Sequence, residues 1–261
     1  MKTVITTAGR PDAASLKLAA KAAGVLGYEI IERNKKSIAR IQKEQNSAVL
    51  VSGANRYELF RIGMEKPFFF HPNSAAFRLK RMLNGETDPL IEAAQLGIGE
   101  SFLDCTLGLA SDSIIASYVT GDSGKVVGLE GDPDIAFIAK CGLHTFHSNS
   151  IELTKAMKHI EVVHTDAVDF LKNQPDNSWD IVYIDPMFSA PIEESSNFTP
   201  LRQVGLKTSL TQEWMEQAKR VCKRRVVVKD RFDSPVFDKY NLERQIRPNT
   251  KFHFGYYLNN N

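Results

Sequence analysis

The chain has 261 residues, enough for one mid-sized α/β domain with a small additional module. Its 43% hydrophobic and 25% charged residues are ordinary for a globular protein, and the net charge of +2 neither requires nor excludes a nucleic-acid partner. The sequence contains no apolar run of about 18 residues, no secretion signal and no pair of closely spaced cysteines, which argues against a membrane span, export and a zinc site. We therefore expect a cytoplasmic protein without a metal.

The first part of the chain predicts a small α/β module. Short β-branched runs alternate with stretches in which apolar residues recur at helical spacing. We expect strands at 3–7, 28–32, 48–52 and 56–62, and helices at about 13–26 and 37–44. A basic helix at 74–83 and a short helix at 89–95 follow. We place the module with its linker at residues 1–88 and the main domain at 89–261.

The main domain predicts a regular alternation of strands and helices. Such alternation is typical of a mainly parallel sheet covered by helices on both faces, and the last two strands are close enough to pair antiparallel. The expected strands are 101–105, 125–130, 160–164, 179–185, 225–229, 240–246 and 252–258, and the expected helices are 111–119, 133–141, 167–173 and 211–221.

The turn after the first strand of this domain, DCTLGLASD at 104–112, combines small and acidic residues. Gly108 allows a tight turn and a close approach of the backbone to a ligand. The helix that follows presents unpaired N–H groups at its N-terminus, which attract anionic groups. A purely structural turn gives the same pattern, so this segment gains meaning only together with the next three.

Two further acidic residues end or follow the second and third strands. Glu130 stands where a carboxylate accepts hydrogen bonds from both ribose hydroxyls of a nucleoside cofactor. Asp166 can accept a hydrogen bond from an adenine amino group, while the N–H of Ala167 donates to a ring nitrogen. Asp166 is also a good N-cap for the next helix, and the two roles are compatible.

The tetrapeptide DPMF at 185–188, directly after an apolar strand, is the most informative segment. The Asp185 carboxylate can accept one N–H of an amino group, and the Pro186 carbonyl can accept the other. This orients the nitrogen lone pair toward an electrophile, and Phe188 can stack on a planar base. The segment therefore predicts a site that transfers a group to an amino nitrogen.

These motifs resemble known methyltransferases. DPMF is similar to the Asp/Asn-Pro-Pro-Tyr/Phe motif of class I S-adenosylmethionine-dependent amino methyltransferases. More narrowly, residues 102–112, 129–133, 182–188 and 225–229 are similar to segments of the bacterial small-subunit ribosomal RNA guanine-N2 methyltransferase J family. That family has a third glycine in the cofactor loop, where this chain has Ala110.

The resemblance, over residues 100–235, implies a Rossmann-like class I methyltransferase fold, S-adenosylmethionine as cofactor and ribosomal RNA as partner. The expected function is methylation of an exocyclic base nitrogen, with guanine N2 favoured and adenine N6 left open. The candidate catalytic residues are Asp185, Pro186 and Phe188. The candidate cofactor-binding residues are Asp104, Thr106, Gly108, Asp112, Glu130, Asp166 and Ala167.

Candidate substrate contacts are basic. Arg78 and Arg81 lie beside an aromatic residue ahead of the main domain, as in proteins that hold single-stranded RNA by charge and stacking. Lys229 either contacts a substrate phosphate or pairs with a carboxylate. Two other functions remain open, methylation of a protein or small molecule and a non-catalytic module that binds S-adenosylmethionine or RNA. The presence of both Glu130 and Asp185 argues against the second.

Overall fold

The computed structural model describes residues 2–64, 66–186 and 209–259. These residues form two β-sheets with helices packed on them. The smaller sheet has the strand order β1-β2-β3, and the larger one has the order β6-β5-β4-β7-β8-β10-β9. Within these ranges no helix is both long and apolar enough to cross a membrane.

The small sheet consists of β1 (Thr3–Thr7), β2 (Ala48–Ser52) and β3 (Tyr57–Phe60). β1 and β2 are parallel, and β3 is antiparallel to β2. The helices α1 (Ala13–Leu26) and α2 (Ile38–Gln45) belong to the same part of the chain. The strand predicted at 28–32 is wrong, because this segment makes only a single bridge, between Ile30 and Ile5. The backbone then turns away through Asn34 and Lys35, which both have positive φ angles.

The large sheet confirms the mainly parallel arrangement with antiparallel last strands. β4, β5, β6, β7 and β8 pair in parallel, and β10 is antiparallel to both β8 and β9. The strands are β4 (Ser101–Asp104), β5 (Lys125–Glu130), β6 (Ile160–His164), β7 (Trp179–Ile184), β8 (Cys222–Arg231), β9 (Glu243–Gln245) and β10 (Phe252–Leu258).

Both faces of the large sheet are buried, which explains its continuous apolar strands. Phe102 and Tyr183 stack in one core layer, whereas Leu103 and Val182 lie in the other. The helices around the two sheets are α3 (Asn73–Leu83), α4 (Pro89–Ala94), α5 (Ser111–Thr120), α6 (Pro133–Thr145), α7 (Ile151–Lys158), α8 (Ala167–Lys172), α9 (Gln212–Val221) and α10 (Val236–Lys239).

Helix α7 was not expected from the sequence. Ser150 caps it by accepting a hydrogen bond from the N–H of Leu153, and its buried residues Leu153, Ala156 and Met157 have helical spacing. These three apolar residues lie within a polar stretch, and so few residues do not give a clear helical periodicity in the sequence.

The segment between the sheets packs closely on the large sheet's helices. Helix α3 contacts α5, and a Cβ placed on Gly142 of α6 would lie 2.1 Å from Cγ of Phe70. Arg61 pairs with Asp132 and Asp134 at the start of α6, at 2.5 and 2.9 Å. The division at residue 88 stays a prediction.

Candidate active site

Four acidic residues lie at the carboxyl ends of four adjacent strands. Asp104 ends β4 and Glu130 ends β5, whereas Asp166 follows β6 and Asp185 follows β7. This edge is where ligands bind in open α/β sheets, because the loops and helix N-termini there face a common crevice. The fold therefore brings together the four segments singled out in the sequence.

Asp104 anchors the loop that follows β4. Its side chain is buried and accepts hydrogen bonds from the Ser113 hydroxyl at 2.6 Å and from the Thr106 N–H at 2.9 Å. Burial raises the pKa of Asp104 to about 7. Gly108 and Ala110 both adopt left-handed backbone angles, with φ of 50° and 58°. That conformation explains why glycine is expected at the position of Ala110.

Glu130 links the loops after β4 and β5. Its carboxylate accepts hydrogen bonds from the N–H of Gly108 at 3.2 Å and from the N–H of Asp132 at 2.9 Å. Burial raises its pKa to about 7, although these two N–H donors oppose the rise. The carboxylate is thus fixed at the end of β5 and has oxygen lone pairs left for a ligand.

Asp166 caps α8, as its position in the sequence suggested. Its Oδ1 accepts hydrogen bonds from the N–H groups of Val168 at 2.8 Å and Asp169 at 3.1 Å. The neighbouring Ala167 is buried, and the cap side chain accepts from Val168 and Asp169 rather than from its N–H. Contact of either residue with an adenine ring stays a prediction.

Asp185 is held on two sides. Its N–H donates to the Thr106 hydroxyl at 2.8 Å, and its carboxylate lies 2.6 Å from Nζ of Lys229. Pro186 follows it directly at the end of β7, whereas Phe188 lies outside the described residues. The Asp185 carboxylate therefore has a fixed position next to the loop that carries Gly108.

A chain of charges extends from Asp185 to helix α3. Nζ of Lys229 is also 3.4 Å from Asp112, which in turn lies 2.5 Å from Arg78 and accepts a hydrogen bond from the Tyr183 hydroxyl at 2.9 Å. Arg78 makes a second, bidentate pair with Asp88, with both contacts at 2.8 Å. Lys229 thus has the carboxylate pairing that was one of the two roles considered for it.

Opposite charges set the protonation states of the side chains in this chain of charges. Burial alone would raise the pKa of Asp112, but Lys229 and Arg78 outweigh it and hold that pKa well below its usual range. Burial raises the pKa of Asp185, and Lys229 opposes the rise. The pKa of Lys229 is raised by Asp112 and Asp185 in spite of its own burial. Lys229 is therefore a cation that stabilises two carboxylates.

The two arginines predicted to contact RNA lie in different surroundings. The guanidinium of Arg78 pairs with Asp88 and Asp112, and its side chain is 20% exposed; an RNA contact by Arg78 stays a prediction. Arg81 is 46% exposed and pairs with Glu86 at the surface. An RNA contact by Arg81 stays a prediction.

Three residues of the site were missed in the sequence. Ser113 bonds to Asp104, Tyr183 bonds to Asp112, and Asp88 pairs with Arg78. Asp88 precedes a proline that begins α4, a pattern that marks an N-cap, but its pairing with Arg78 depends on tertiary packing. Tyr183 is fully buried in an apolar strand. Its hydroxyl needs a hydrogen-bond partner there, and that need is the one sign in the sequence of a polar contact.

Comparison with known proteins identifies the family. A model of the family described as "Putative SAM-dependent methyltransferase" matches residues 33–257. The chain belongs to this family. YpiP of Bacillus subtilis, described as uncharacterized, is 40% identical over 252 residues, which cover 97% of this chain and 98% of that protein. The ribosomal RNA small subunit methyltransferase J of Acinetobacter baylyi is 31% identical over 113 residues, which cover 42% of this chain and 40% of that protein.

A solved structure shows that this methyltransferase shares its fold with another member of the class. The SAM-dependent methyltransferase NGO1261 of Neisseria gonorrhoeae superposes with a TM-score of 0.59 at 17% identity, and the match covers 97% of this chain and 95% of that one. The predicted Rossmann-like methyltransferase fold and the predicted cofactor, S-adenosylmethionine, are thereby confirmed.

The crevice fits this cofactor chemically. Helix α5 begins without a side-chain cap from the described residues, so its N–H groups are available to the carboxylate of the methionine part. The buried hydroxyl of Ser111, in its first turn, has no hydrogen-bond partner in the described part of the chain. Such an orphaned group indicates a ligand or water at this point. Glu130 offers the carboxylate that ribose hydroxyls need.

Proposed function

We propose that the methyltransferase methylates an exocyclic amino nitrogen of a nucleic-acid base, guanine N2 of small-subunit ribosomal RNA. The observation that carries this proposal is the fixed carboxylate of Asp185, which lies beside the cofactor loop and is followed by Pro186. The partial similarity to a ribosomal RNA small subunit methyltransferase supports the choice of RNA.

In the proposed reaction, the residues of this chain orient the amino group. Bound S-adenosylmethionine supplies an electrophilic methyl group and takes back the electron pair of the broken carbon–sulfur bond. The Asp185 carboxylate accepts one N–H of the substrate, and the Pro186 carbonyl accepts the other. As the new nitrogen–carbon bond forms, the nitrogen loses a proton, and Asp185 is placed to accept it. Phe188 is proposed to stack on the base.

Cofactor binding is assigned to the loops at the sheet edge. We propose that Glu130 accepts hydrogen bonds from the ribose hydroxyls and that Asp166 and Ala167 contact the adenine. Gly108 permits close approach of the backbone, and Thr106 positions Asp185. The oxygens of Asp104 and Asp112 are already engaged by protein groups. In this proposal Asp104 therefore positions the loop after β4, and Asp112 positions Lys229.

The test is transfer of labelled methyl groups to RNA, DNA and protein pools from a strain that lacks the gene. We expect label in one ribosomal RNA species, and no transfer by Asp185→Asn although its affinity for S-adenosylmethionine is retained. Asp122→Asn changes an exposed carboxylate paired with Lys155 and is the matched control. Label in protein alone, or full activity of Asp185→Asn, would contradict the proposal.

A further inference from the structure

A second cleft lies in the small sheet, apart from the candidate active site. It has a volume of about 550 Å³ and opens at the carboxyl ends of the parallel strands β1 and β2, next to Ala8 and Gly53. No residue of the candidate active site lines it. This is the edge at which α/β sheets bind ligands, and the volume lies in the usual range of about 300–1,000 Å³ for small-molecule sites.

Arg33 forms one wall of this small-sheet cleft. Its Nε donates to the carbonyl of Lys36 at 2.7 Å, and its Nη1 donates to the carbonyl of Thr7 at 3.0 Å. These bonds fix the orientation of the guanidinium without neutralising it, because both acceptors are uncharged. Among the residues that the structure describes, no carboxylate forms an ion pair with Arg33. Partial burial lowers the pKa of Arg33.

Two other partly buried arginines, Arg61 and Arg78, are compensated by carboxylates, whereas the buried Arg225 donates to the carbonyl of Ala93 and lies against the ring of Tyr256. Arg61 pairs with two aspartates at the start of α6, and Arg78 pairs with two aspartates in the candidate active site. Charges withdrawn from water are stable in proteins when an opposite charge meets them. The guanidinium of Arg33 is fixed beside the cleft and no described carboxylate pairs with it, so its charge is available to an anionic ligand.

The remaining walls add an apolar surface to this charge. Val51 and Phe60 line the cleft, together with Ile38 at the start of α2. Arg56 and Glu58 also line the cleft; they pair with each other, and the guanidinium of Arg56 is 3.9 Å from the ring centroid of Phe69. The cleft thus combines an unneutralised cation with an apolar wall. A nucleotide combines the matching features, a phosphate and a planar base.

We propose that the small-sheet cleft binds a nucleotide unit, with its phosphate on Arg33 and its base against Val51 and Phe60. The expected source is a strand of the RNA substrate, and in naming that source the inference rests on the proposed function. A free mononucleotide offers the same chemistry, so the experiment separates the two sources.

The test is a titration of the isotope-labelled full-length protein, followed by amide resonances. The probes are 5′-mononucleotides and a short single-stranded RNA. We expect the resonances of Gly9, Gly53 and Ala54 to shift with the RNA. Arg33→Gln retains a donor for the neighbouring carbonyls but removes the charge, and it should weaken RNA binding by about tenfold or more. Arg40→Gln changes an exposed arginine of α2 paired with Glu44 and should leave affinity unchanged.

The outcomes separate this proposal from the proposed function. Shifts at the cleft with RNA but not with mononucleotides support the strand as the source, and shifts with mononucleotides alone identify a free nucleotide. If the cleft resonances do not move with any probe, or if Arg33→Gln binds as tightly as the unchanged protein, the cleft proposal is overturned. Cleft binding without methyl transfer to RNA would contradict the proposed function and leave the cleft assignment standing.

Discussion

Replacing Glu130 by glutamine should make the protein more stable and at the same time weaken its hold on the cofactor. The carboxylate is partly buried, and burial raises its pKa from 4.5 to about 7, so the folded protein binds this proton more tightly than the unfolded chain does. The stabilisation from protonation is complete below the unfolded-state pKa of 4.5 and is lost as the pH rises through about 7. Glutamine stays neutral at every pH and avoids this loss.

The magnitude follows from the pKa shift. A rise from 4.5 to about 7 corresponds to about 3 kcal/mol, because each pKa unit is worth about 1.4 kcal/mol. Glutamine has one acceptor oxygen for the two N–H donors, from Gly108 and Asp132, and the lost bond offsets about 1–2 kcal/mol of the gain. We therefore expect Glu130→Gln to unfold with a free energy about 1–2 kcal/mol higher at about pH 8, and with a smaller difference at about pH 5.5.

The assays are urea unfolding at both pH values and calorimetric titration with S-adenosylmethionine. Loss of the charged acceptor for the ribose hydroxyls should weaken cofactor binding by about tenfold to a hundredfold. Glu161→Gln, at an exposed position of the neighbouring strand β6, is the matched control and should change neither quantity. Lower stability of Glu130→Gln at about pH 8 would refute the reasoning on burial, and an unchanged dissociation constant would refute the ribose role.

Two further substitutions test the charge chain and the packing. Lys229→Met removes the cation between the carboxylates of Asp185 and Asp112. The substitution should raise the pKa of Asp185 and lower the free energy of unfolding by about 3–5 kcal/mol. An unchanged free energy of unfolding would refute the ion-pair chain. Gly142→Ala places a Cβ 2.1 Å from Phe70 and should lower the free energy of unfolding by about 1–3 kcal/mol in urea titrations. Gly24→Ala in helix α1, where a Cβ meets nothing within 4 Å, is its control and should not destabilise.

The fold of the large sheet could be predicted because its signals are local. The apolar run of β5 ends in Glu130, and the apolar run of β7 ends just before Asp185. The alternation of strands and helices therefore predicts that both carboxylates lie at the same edge of the sheet. Helix α7 was missed because its apolar face has only three buried residues within a polar stretch. The segment at 28–32 has the composition of a strand but makes only one bridge before the chain turns away.

A carboxylate pairing was one of the two roles open for Lys229, but the partners within the charge chain could not be predicted, because they lie far apart in the sequence. Lys229 meets Asp112 across a separation of 117 residues and Asp185 across 44. A basic residue near an aromatic one, such as Arg78, gives the same local pattern whether it faces RNA or a buried aspartate. The packing of α3 on α5 brings Arg78 to Asp112, a pairing that the local pattern does not reveal.

The most direct measurement is nucleoside mass spectrometry of small-subunit ribosomal RNA from a strain that lacks the gene, complemented with the unchanged gene or with Asp185→Asn. We predict that one N2-methylguanosine is absent in the deletion strain, returns with the unchanged gene and does not return with Asp185→Asn. Identical nucleoside profiles in all of these strains, or restoration by Asp185→Asn, would contradict the proposed methylation of ribosomal RNA at Asp185.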